Sequence, residues 1–283
     1  PIYKRGDMLA HITSLKKNIV VSGSHGKTTT TSLIASIFAK AKLDPTIING
    51  GVINSLENSA KLGKSEWCIL ESDESDGSFV KVPSTYAVVT NVDREHMDYY
   101  KSLDDLKKNF IKFMIKVPSF GKTFVCLDDK NIRQICKIIK IKNILTYGIN
   151  SKSNFKIKNI LFCKNKSFFD VEMQLPNKKK IVLKKFEIPL IGNHNIKNAT
   201  AAIAVSYFIG ISPNILRESL KNFKGVERRF NRIFSYNGAD IYDDYAHHPT
   251  EIKEVINGVS NSYRNKKIVC IFQPHRISRL NDL

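Results

Sequence analysis

Short apolar runs alternate along the chain with longer segments whose apolar residues recur at helical spacing. The runs NIVVSG, EWCILES, YAVVTNV, TFVCLDD and NILTYG are typical of buried strands. Between them, TTTTSLIASIFAKA places Leu33, Ile34, Ile37 and Phe38 on one helical face, and DDKNIRQICKIIK also reads as a helix. Strands that alternate with helices predict an α/β fold of the P-loop type, with a mostly parallel sheet flanked by helices.

The pattern changes after Gly148. NFKIKNILFC, SFFDVEMQL and KKIVLKKFEIPL alternate like antiparallel strands, and they predict a small antiparallel β-sheet attached to the same domain. Two helices follow: NHNIKNATAAIAVSYFIG, which ends at Gly210, and ISPNILRESLKNF, where Ser212 is the expected cap before Pro213.

A new unit begins near Phe230. Its strand ADIYDDYA, helix PTEIKEVINGVSNSY and strand KKIVCIFQPH predict one βαβ unit, the start of a Rossmann-like α/β domain. Since one such unit cannot close a core, we expect the chain to stop inside a second domain. The predicted organisation is a linker over 1–16, a central domain over 17–229 and a partial domain over 230–283.

Composition narrows the class of protein. With 283 residues and 42% hydrophobic content, the chain can bury one large core. No stretch approaches the ~18–20 consecutive apolar residues that span a membrane, so we expect no membrane insertion. The chain opens on Pro1 rather than Met, so the absence of a targeting segment carries little weight. The 5 cysteines form no CxxC pair, which predicts reduced thiols, mostly small buried hydrophobes, in a cytoplasmic protein.

The formal net charge of +19 raises the question of nucleic-acid binding. Much of the lysine lies in stretches such as LPNKKKIVLKK, which are typical of solvated faces, and no nucleic-acid-binding motif accompanies them. We therefore expect no nucleic-acid partner. Attraction of an anionic substrate is at least as good a use of the charge.

Polar residues gather where three of the apolar strands end. VVSG leads into SHGKTT, CILE into SDESD, and AVVT into NVDREHMD. Ligands of open parallel sheets bind at the carboxyl ends of the strands, so the three segments together predict a site.

The first segment, VVSGSHGKTTTTS, resembles a phosphate-binding loop. The usual spacing, GxxxxGK[ST], requires a glycine where this chain has Val21. A glycine-rich turn from strand to helix nevertheless points backbone N–H groups at an anion. Gly23 and Gly26 permit close approach, Lys27 would reach the phosphates, and the Thr28 hydroxyl would bind Mg²⁺. The alternative is an ordinary lysine-bearing helix N-terminus.

The other two segments supply candidate metal ligands. Glu71 follows its strand directly, and hard carboxylate oxygens suit Mg²⁺. His96 lies just past the next strand and can bind a metal when neutral, or can be an ordinary hydrogen-bonding histidine. The acidic residues further along, Asp73, Glu74 and Asp76, are as well explained by a solvated turn.

These motifs, taken in order, resemble the Mur ligases, ATP-dependent amide-forming enzymes of peptidoglycan synthesis. The segments are GxxGKTT, ESDESDGSF, VVTNVDREHMDYY, GNHNIKNATAA, GVERRF, DDYAHHPTE and QPHR, and the last two are the most specific. The resemblance covers nearly the whole chain, and the family's loop, GxxGK[ST], needs no glycine at position 21. It implies a central ATPase domain and part of a C-terminal Rossmann-like domain, without the N-terminal uridine-binding domain.

The resemblance also implies roles for single residues. For ATP phosphates it implies the loop residues Gly23, Ser24, His25, Gly26, Lys27, Thr28 and Thr29. For Mg²⁺ it implies Thr28, Glu71 and His96. For the rest of the nucleotide it implies Asn195 or Asn198, Arg229, Asp244 and Tyr245. For the reacting groups it implies Lys27, His247, His275, Arg276 and Arg279, with Asn49–Gly51 near the muramyl substrate.

The implied reaction joins L-alanine to the carboxylate of UDP-N-acetylmuramate through an acyl phosphate formed with ATP. His247 is the first candidate to accept the ammonium proton, although a structural HHP turn explains it equally well. Three alternatives remain: the related murein-tripeptide recycling ligase, the folylpolyglutamate branch, and a nucleotide-binding module without turnover.

Overall fold

A computed structural model describes residues 2–139, 143–176 and 179–274 of the chain. Within these ranges the helices pack against a 10-stranded sheet, and a two-stranded hairpin follows this sheet in the sequence. The strands are β1 (Lys17–Ser22), β2 (Thr46–Ile53), β3 (Asn58–Lys61), β4 (Trp67–Glu71), β5 (Tyr86–Val89), β6 (Lys122–Cys126), β7 (Ile144–Gly148), β8 (Phe155–Cys163), β9 (Lys166–Met173), β10 (Ile181–Ile188), β11 (Asn231–Tyr236) and β12 (Ala239–Asp243). The helices are α1 (Arg5–Thr13), α2 (Lys27–Lys40), α3 (Leu103–Ile115), α4 (Lys130–Ile138), α5 (Asn193–Ile209), α6 (Pro213–Lys221) and α7 (Pro249–Ser262), with a 3-10 turn over Ser78–Lys81.

The strand order in the large sheet is β10-β9-β8-β7-β6-β5-β1-β4-β2-β3. Strands β2, β4, β1, β5, β6, β7 and β8 pair in parallel, whereas β3 and β9 run against their neighbours. The mostly parallel sheet predicted from the sequence is thereby confirmed. The predicted antiparallel strands continue the same sheet, because Tyr147 and Gly148 of β7 pair with Phe155 and Lys156 of β8.

The middle residues of the central strands are apolar because helices cover both faces of the sheet there. The residues of β1, β4 and β5 at 19–21, 68–70 and 87–89 are fully buried. Helix α2 packs on β1, β2 and β4 and against α5 and α6. The connection β1–α2–β2 and the connection β5–α3–β6 run in opposite directions along the sheet. Right-handed crossovers therefore place α2 and α3 on opposite faces.

Several elements differ from the sequence-based expectations. The hairpin of β2 and β3 was not anticipated, since the two glycines of TIINGGVI suggest a loop. Helix α1 lies inside the segment expected to be a linker. The strand expected over KKIVCIFQPH is wrong for its described part, 266–274, which forms no strand. The nearest strands in sequence, β11 and β12, pair with each other, and no described strand pairs with this segment. The domain boundaries at 16/17 and 229/230 stay predictions.

No helix among the described residues has both the length and the apolar character needed to cross a bilayer. All five cysteines are free thiols. Cys68 and Cys126 are buried as expected, whereas Cys163 and Cys270 are exposed, so the expectation of buried thiols is wrong for these two.

Candidate active site

The carboxyl ends of β1, β4 and β5 lie side by side in the sheet and open into one cleft of about 790 Å³. The cleft is lined by Lys27 and Thr28 at the start of α2, by Glu71 at the end of β4, and by His96 after β5. The structure therefore brings together side chains that the sequence spreads over 70 positions.

The loop between β1 and α2 is shaped by the end of β5. Gly23 has a φ of +134°, and a Cβ there would lie 2.1 Å from Thr90 Oγ1. The Thr90 hydroxyl donates to His25 O at 2.6 Å, while Asn91 Oδ1 accepts from His25 N at 2.8 Å. Asn91 thus holds the loop in place. Gly26 has the same kind of restriction, because its Cβ would lie 2.6 Å from Asn198 Oδ1.

Lys27 folds back over its own loop and forms a buried ion pair. Its Nζ donates to Gly23 O at 2.7 Å and to Glu74 Oε2 at 2.8 Å. Glu74 is fully buried, and burial raises the pKa of its carboxyl against the pull of Lys27. Burial also opposes the charge of Lys27, but Glu74 and Asp73 outweigh it and raise the pKa of the ammonium. The solvated-turn alternative for the acidic segment is therefore wrong for Glu74, while Asp76 is exposed.

The residues at the mouth of this loop fit a divalent cation. Thr28 Oγ1 donates to Glu71 Oε1 at 3.2 Å, and Gly50 N donates to Glu71 Oε2 at 2.9 Å. Beside them, Asp73, Glu74 and His96 each offer a ligand atom, all within 4.8 Å of one another. Glu74 Oε1 is buried, has no hydrogen-bond partner within the described part of the chain, and lies 3.8 Å from His96 Nε2. Carboxylate oxygens, a hydroxyl and an imidazole are suitable ligands for Mg²⁺ or Mn²⁺.

Asp73 and Glu74 were not among the metal ligands expected from the sequence. In the sequence their acidic run resembles a solvated turn, and the packing of Lys27 and Tyr100 against Glu74 shows otherwise. The Tyr100 hydroxyl donates to Glu74 O at 2.5 Å and covers the turn.

A second, smaller cavity of about 240 Å³ lies on the other side of the loop, between α5 and the start of α7. It collects seven of the residues expected to bind the nucleotide: His25, Gly26, Thr29, Asn195, Asn198, Arg229 and Asp244. Asn195 Nδ2 donates to Ile191 O at 2.8 Å, which fixes the side chain at the start of α5. Cys126 and Tyr147 also line the cavity, and no motif in the sequence indicated them.

The segment before α7 reaches over both cavities. Asp244 accepts from Phe230 N at 2.8 Å and from Ala246 N at 2.7 Å, and burial raises the pKa of its carboxyl. The ring of Tyr245 faces the guanidinium groups of Arg228 and Arg229 at 5.1 and 5.5 Å. These contacts give the segment a defined path between the two cavities.

His247 lines the larger cleft, and its Nδ1 lies 2.8 Å from Tyr245 O. Its role as proton acceptor stays a prediction. His275, Arg276 and Arg279, also expected in the cleft, lie outside the described residues.

The imidazole of His25 lies between two carboxylates from distant parts of the chain. Its Nε2 is 3.1 Å from Asp93 Oδ2, and its Nδ1 is 3.3 Å from Glu251 Oε1 of α7. Burial alone would lower the pKa of His25, but these two hydrogen bonds outweigh it and raise the pKa to about 9. The hydrogen bond from His25 lowers the pKa of Asp93. The sequence places His25 among the phosphate-loop residues and gives no hint of this pairing.

Comparison with known proteins gives consistent matches over the whole chain. The family model described as "Mur ligase middle domain" matches residues 21–206. The model described as "Mur ligase, glutamate ligase domain" matches residues 228–283.

Individual relatives agree with these models. A UDP-N-acetylmuramate–L-alanine ligase of Pelagibacter ubique is 65% identical over 283 residues, which are 100% of this chain and 61% of that protein. The crystal structure of UDP-N-acetylmuramate–alanine ligase from Thermotoga maritima superimposes with a TM-score of 0.79 at 27% identity, covering 96% of this chain and 60% of the other. A murein peptide ligase from Psychrobacter arcticus gives a TM-score of 0.69 at 25% identity, covering 90% and 57%. The chain thus spans about three fifths of the length of these relatives.

Proposed function

Because this chain belongs to the Mur ligase family, we propose that it carries the ATP and metal site of a ligase that joins L-alanine to UDP-N-acetylmuramate. The observation that carries the proposal is the meeting of Lys27, Glu71 and His96 in one cleft at adjacent strand ends. The names of the relatives support the choice of L-alanine and UDP-N-acetylmuramate as substrates.

The chemistry explains why such a ligase needs a phosphate site. A carboxylate is a poor acyl donor, because its oxygen is a poor leaving group. The lactyl carboxylate of UDP-N-acetylmuramate attacks the γ-phosphorus of ATP, ADP departs, and an acyl phosphate results. The amine of alanine then attacks the acyl carbon, and inorganic phosphate leaves as the amide forms.

Phosphoryl transfer depends mainly on positioning and on neutralising charge. In this proposal the Nζ of Lys27 leaves Glu74 and binds the phosphate oxygens that enter the loop. The short distance between Lys27 Nζ and Glu74 Oε2, 2.8 Å, keeps the ammonium at the loop until then. The amide groups at the start of α2 add their dipoles to the same site.

A bound Mg²⁺ would neutralise phosphate charge and help to align the reacting oxygens. Thr28 and Glu71 would hold it on one side of the loop. Asp73, Glu74 and His96 form a second group that could hold a cation. A cation there would reduce the repulsion between ATP and the carboxylate substrate, which are both anionic.

The smaller cavity suits the adenine and ribose. Asn195, Asn198 and Arg229 offer polar groups there, and Asp244 approaches from the segment before α7. Asn49–Gly51 and His247 line the larger cleft, which we assign to the muramyl substrate and alanine. We assign His275 and Arg276 of the QPHR motif, and Arg279 three residues after it, to the reacting groups on the basis of the family resemblance alone. A cytoplasmic location is part of the proposal, in keeping with the free cysteine thiols.

An ATP titration combined with a phosphate-release assay tests the proposal. We expect Mg²⁺-dependent binding of ATP, and release of phosphate that requires both UDP-N-acetylmuramate and L-alanine. Release that depends on a murein tripeptide instead of alanine would indicate the recycling ligase. Binding without any release would indicate a nucleotide-binding module. Failure to bind ATP would overturn the proposal altogether.

A further inference from the structure

We propose that His25, as an imidazolium, is a positioning residue that clamps helix α7 to the phosphate loop. The clamp consists of His25 and Asp93 on one side and Thr250 and Glu251 of α7 on the other. It concerns the docking of a helix, so it goes beyond the proposed ligase reaction and can be tested without turnover.

The loop side of the clamp is rigid. The backbone of His25 is held at N and O by Asn91, at 2.8 and 3.0 Å, and by the Thr90 hydroxyl. Its side chain is only 11% exposed. The imidazole therefore has a fixed position two residues before Lys27.

The first turn of α7 supplies the other side. Glu251 Oε1 lies 3.3 Å from His25 Nδ1, and the Thr250 hydroxyl donates to Asp93 Oδ2 at 2.7 Å. The ring of His248, the residue that caps α7, lies 4.6 Å from the ring of His25. Two residues from the beginning of α7, His248 and Glu251, thus contact the imidazole of His25, and Thr250 contacts its partner Asp93.

The hydrogen-bond pattern requires a charged imidazole. Carboxylates only accept hydrogen bonds, and here each ring nitrogen of His25 faces a carboxylate oxygen. A neutral imidazole carries one N–H and would leave one of the two carboxylates without its donor. The imidazolium satisfies both, and Glu95 Oε2 at 4.0 Å adds a third negative charge nearby.

Two other contacts hold α7 further along its length. A Cβ on Gly258 would lie 3.1 Å from Gly192 Cα, so the helix backbone approaches the start of α5 closely. Glu254 Oε2 lies 3.7 Å from His194 Nδ1. These contacts are near α5 and not at the loop, which makes Glu254 a matched control for Glu251.

A double-mutant cycle measures the clamp, with hydrogen-exchange protection of the α7 amides as the readout in the full chain. His25→Gln keeps a donor without the charge. Glu251→Gln keeps an acceptor for the capping box of α7, so the helix start is preserved. We expect each variant to lower protection about fivefold or more, and the double variant to lose no more than the worse single. For His25→Gln combined with Glu254→Gln, the fold losses of protection of the two single variants should instead multiply.

The pH dependence separates a positioning role from a merely structural one. The groups that face His25 are Asp93, Glu95, His248 and Glu251. His25 has a folded pKa of about 9 against an ordinary 6.5, so its stabilisation is complete below 6.5 and is lost as pH rises through about 9. Protection of α7, corrected for the intrinsic exchange rate, should fall over that range in the wild type and not in His25→Gln.

The clamp also couples α7 to the loop. If the proposed function is right, phosphate in the loop favours the imidazolium, and ATP should raise α7 protection in the wild type more than in His25→Gln. If the double-mutant cycle shows coupling between His25 and Glu251 but the chain binds no ATP, the clamp is supported and the proposed function is contradicted.

Two results would overturn the clamp. One is that the fold losses of α7 protection in His25→Gln and Glu251→Gln multiply in the double variant. The other is that α7 protection in His25→Gln falls with pH as it does in the wild type. Should His25→Gln fail to fold, Thr250→Val cuts the clamp from the helix side. A several-fold loss of protection in Thr250→Val that disappears above the pKa of His25 supports the clamp, and an unchanged value contradicts it.

Discussion

Lys27 illustrates how a residue of the candidate site also serves the fold. Before any phosphate enters the loop, its ammonium is the partner of Glu74, a carboxylate that is 0% exposed. Removing one member of a buried pair leaves the other charge without compensation, which costs more than the pair itself contributes. Truncating Lys27 should therefore destabilise the fold as well as remove a phosphate contact.

We therefore expect Lys27→Met to lower the free energy of unfolding by about 3–5 kcal/mol, measured by urea denaturation. Lys27→Met combined with Glu74→Gln should regain part of that loss, because the buried charge is gone. The control is Lys17→Met, whose partner Glu66 is 58% exposed; it should cost about 1 kcal/mol or less. A Lys27→Met protein as stable as the wild type would contradict the buried-pair account.

At the scale of elements, a serine precedes both α3 and α6 at the N-cap position, but of these two only the serine before α3 caps its helix with its side chain. Ser102 precedes α3, and its hydroxyl accepts from Asp105 N at 3.2 Å. Ser212 precedes α6 in the position expected from the sequence, yet its side chain makes no capping hydrogen bond. Pro213 at the first helical position removes one free N–H and sets φ, so α6 begins without help from the serine.

The two serines predict different costs for the same substitution. Ser102→Ala should lower the free energy of unfolding by about 1 kcal/mol, because an N–H of the first turn loses its acceptor. Ser212→Ala should cost less than half of that. Urea denaturation of the two variants side by side measures the difference, and equal costs would show that the side-chain hydrogen bond is not what stabilises α3.

At the scale of the whole molecule, the charge balance opposes the compact state. There are 45 lysines and arginines against 26 aspartates and glutamates, and many of the ion pairs are exposed. Exposed pairs contribute about 0–1 kcal/mol each and weaken in salt, whereas repulsion among the excess positive charges is relieved by salt. Whether salt raises or lowers the melting temperature shows which of the two effects is larger.

We expect NaCl to raise the melting temperature at neutral pH as the Debye length falls from about 30 Å at 0.01 M to about 10 Å at 0.1 M. Near the isoelectric point, at about pH 9.7, the excess charge vanishes and the increase should disappear. A melting temperature that falls with salt at neutral pH would mean that the surface ion pairs outweigh the repulsion.

The sequence by itself predicted the alternation of strands and helices in the central sheet and the strand ends at which the candidate site lies. The spacing of apolar residues is a local property of the sequence. A continuous apolar run such as NIVVSG therefore indicates a strand that is buried on both faces, as β1 is. A motif that directly follows a strand, such as SHGKTT, can be placed from the sequence, because the carboxyl ends of parallel strands lie on one edge of the sheet. Glycine-rich β2 and the polar helix α1 escaped prediction because they lack such periodicity.

Only the tertiary structure decided which of these polar residues are paired. Glu74 and Asp76 lie in the same acidic run, yet one is buried against Lys27 and the other is exposed. His25 meets Glu251 across 226 positions of sequence. The charge state of a side chain depends on its burial and on the charges near it, and both are set by segments that are distant in sequence.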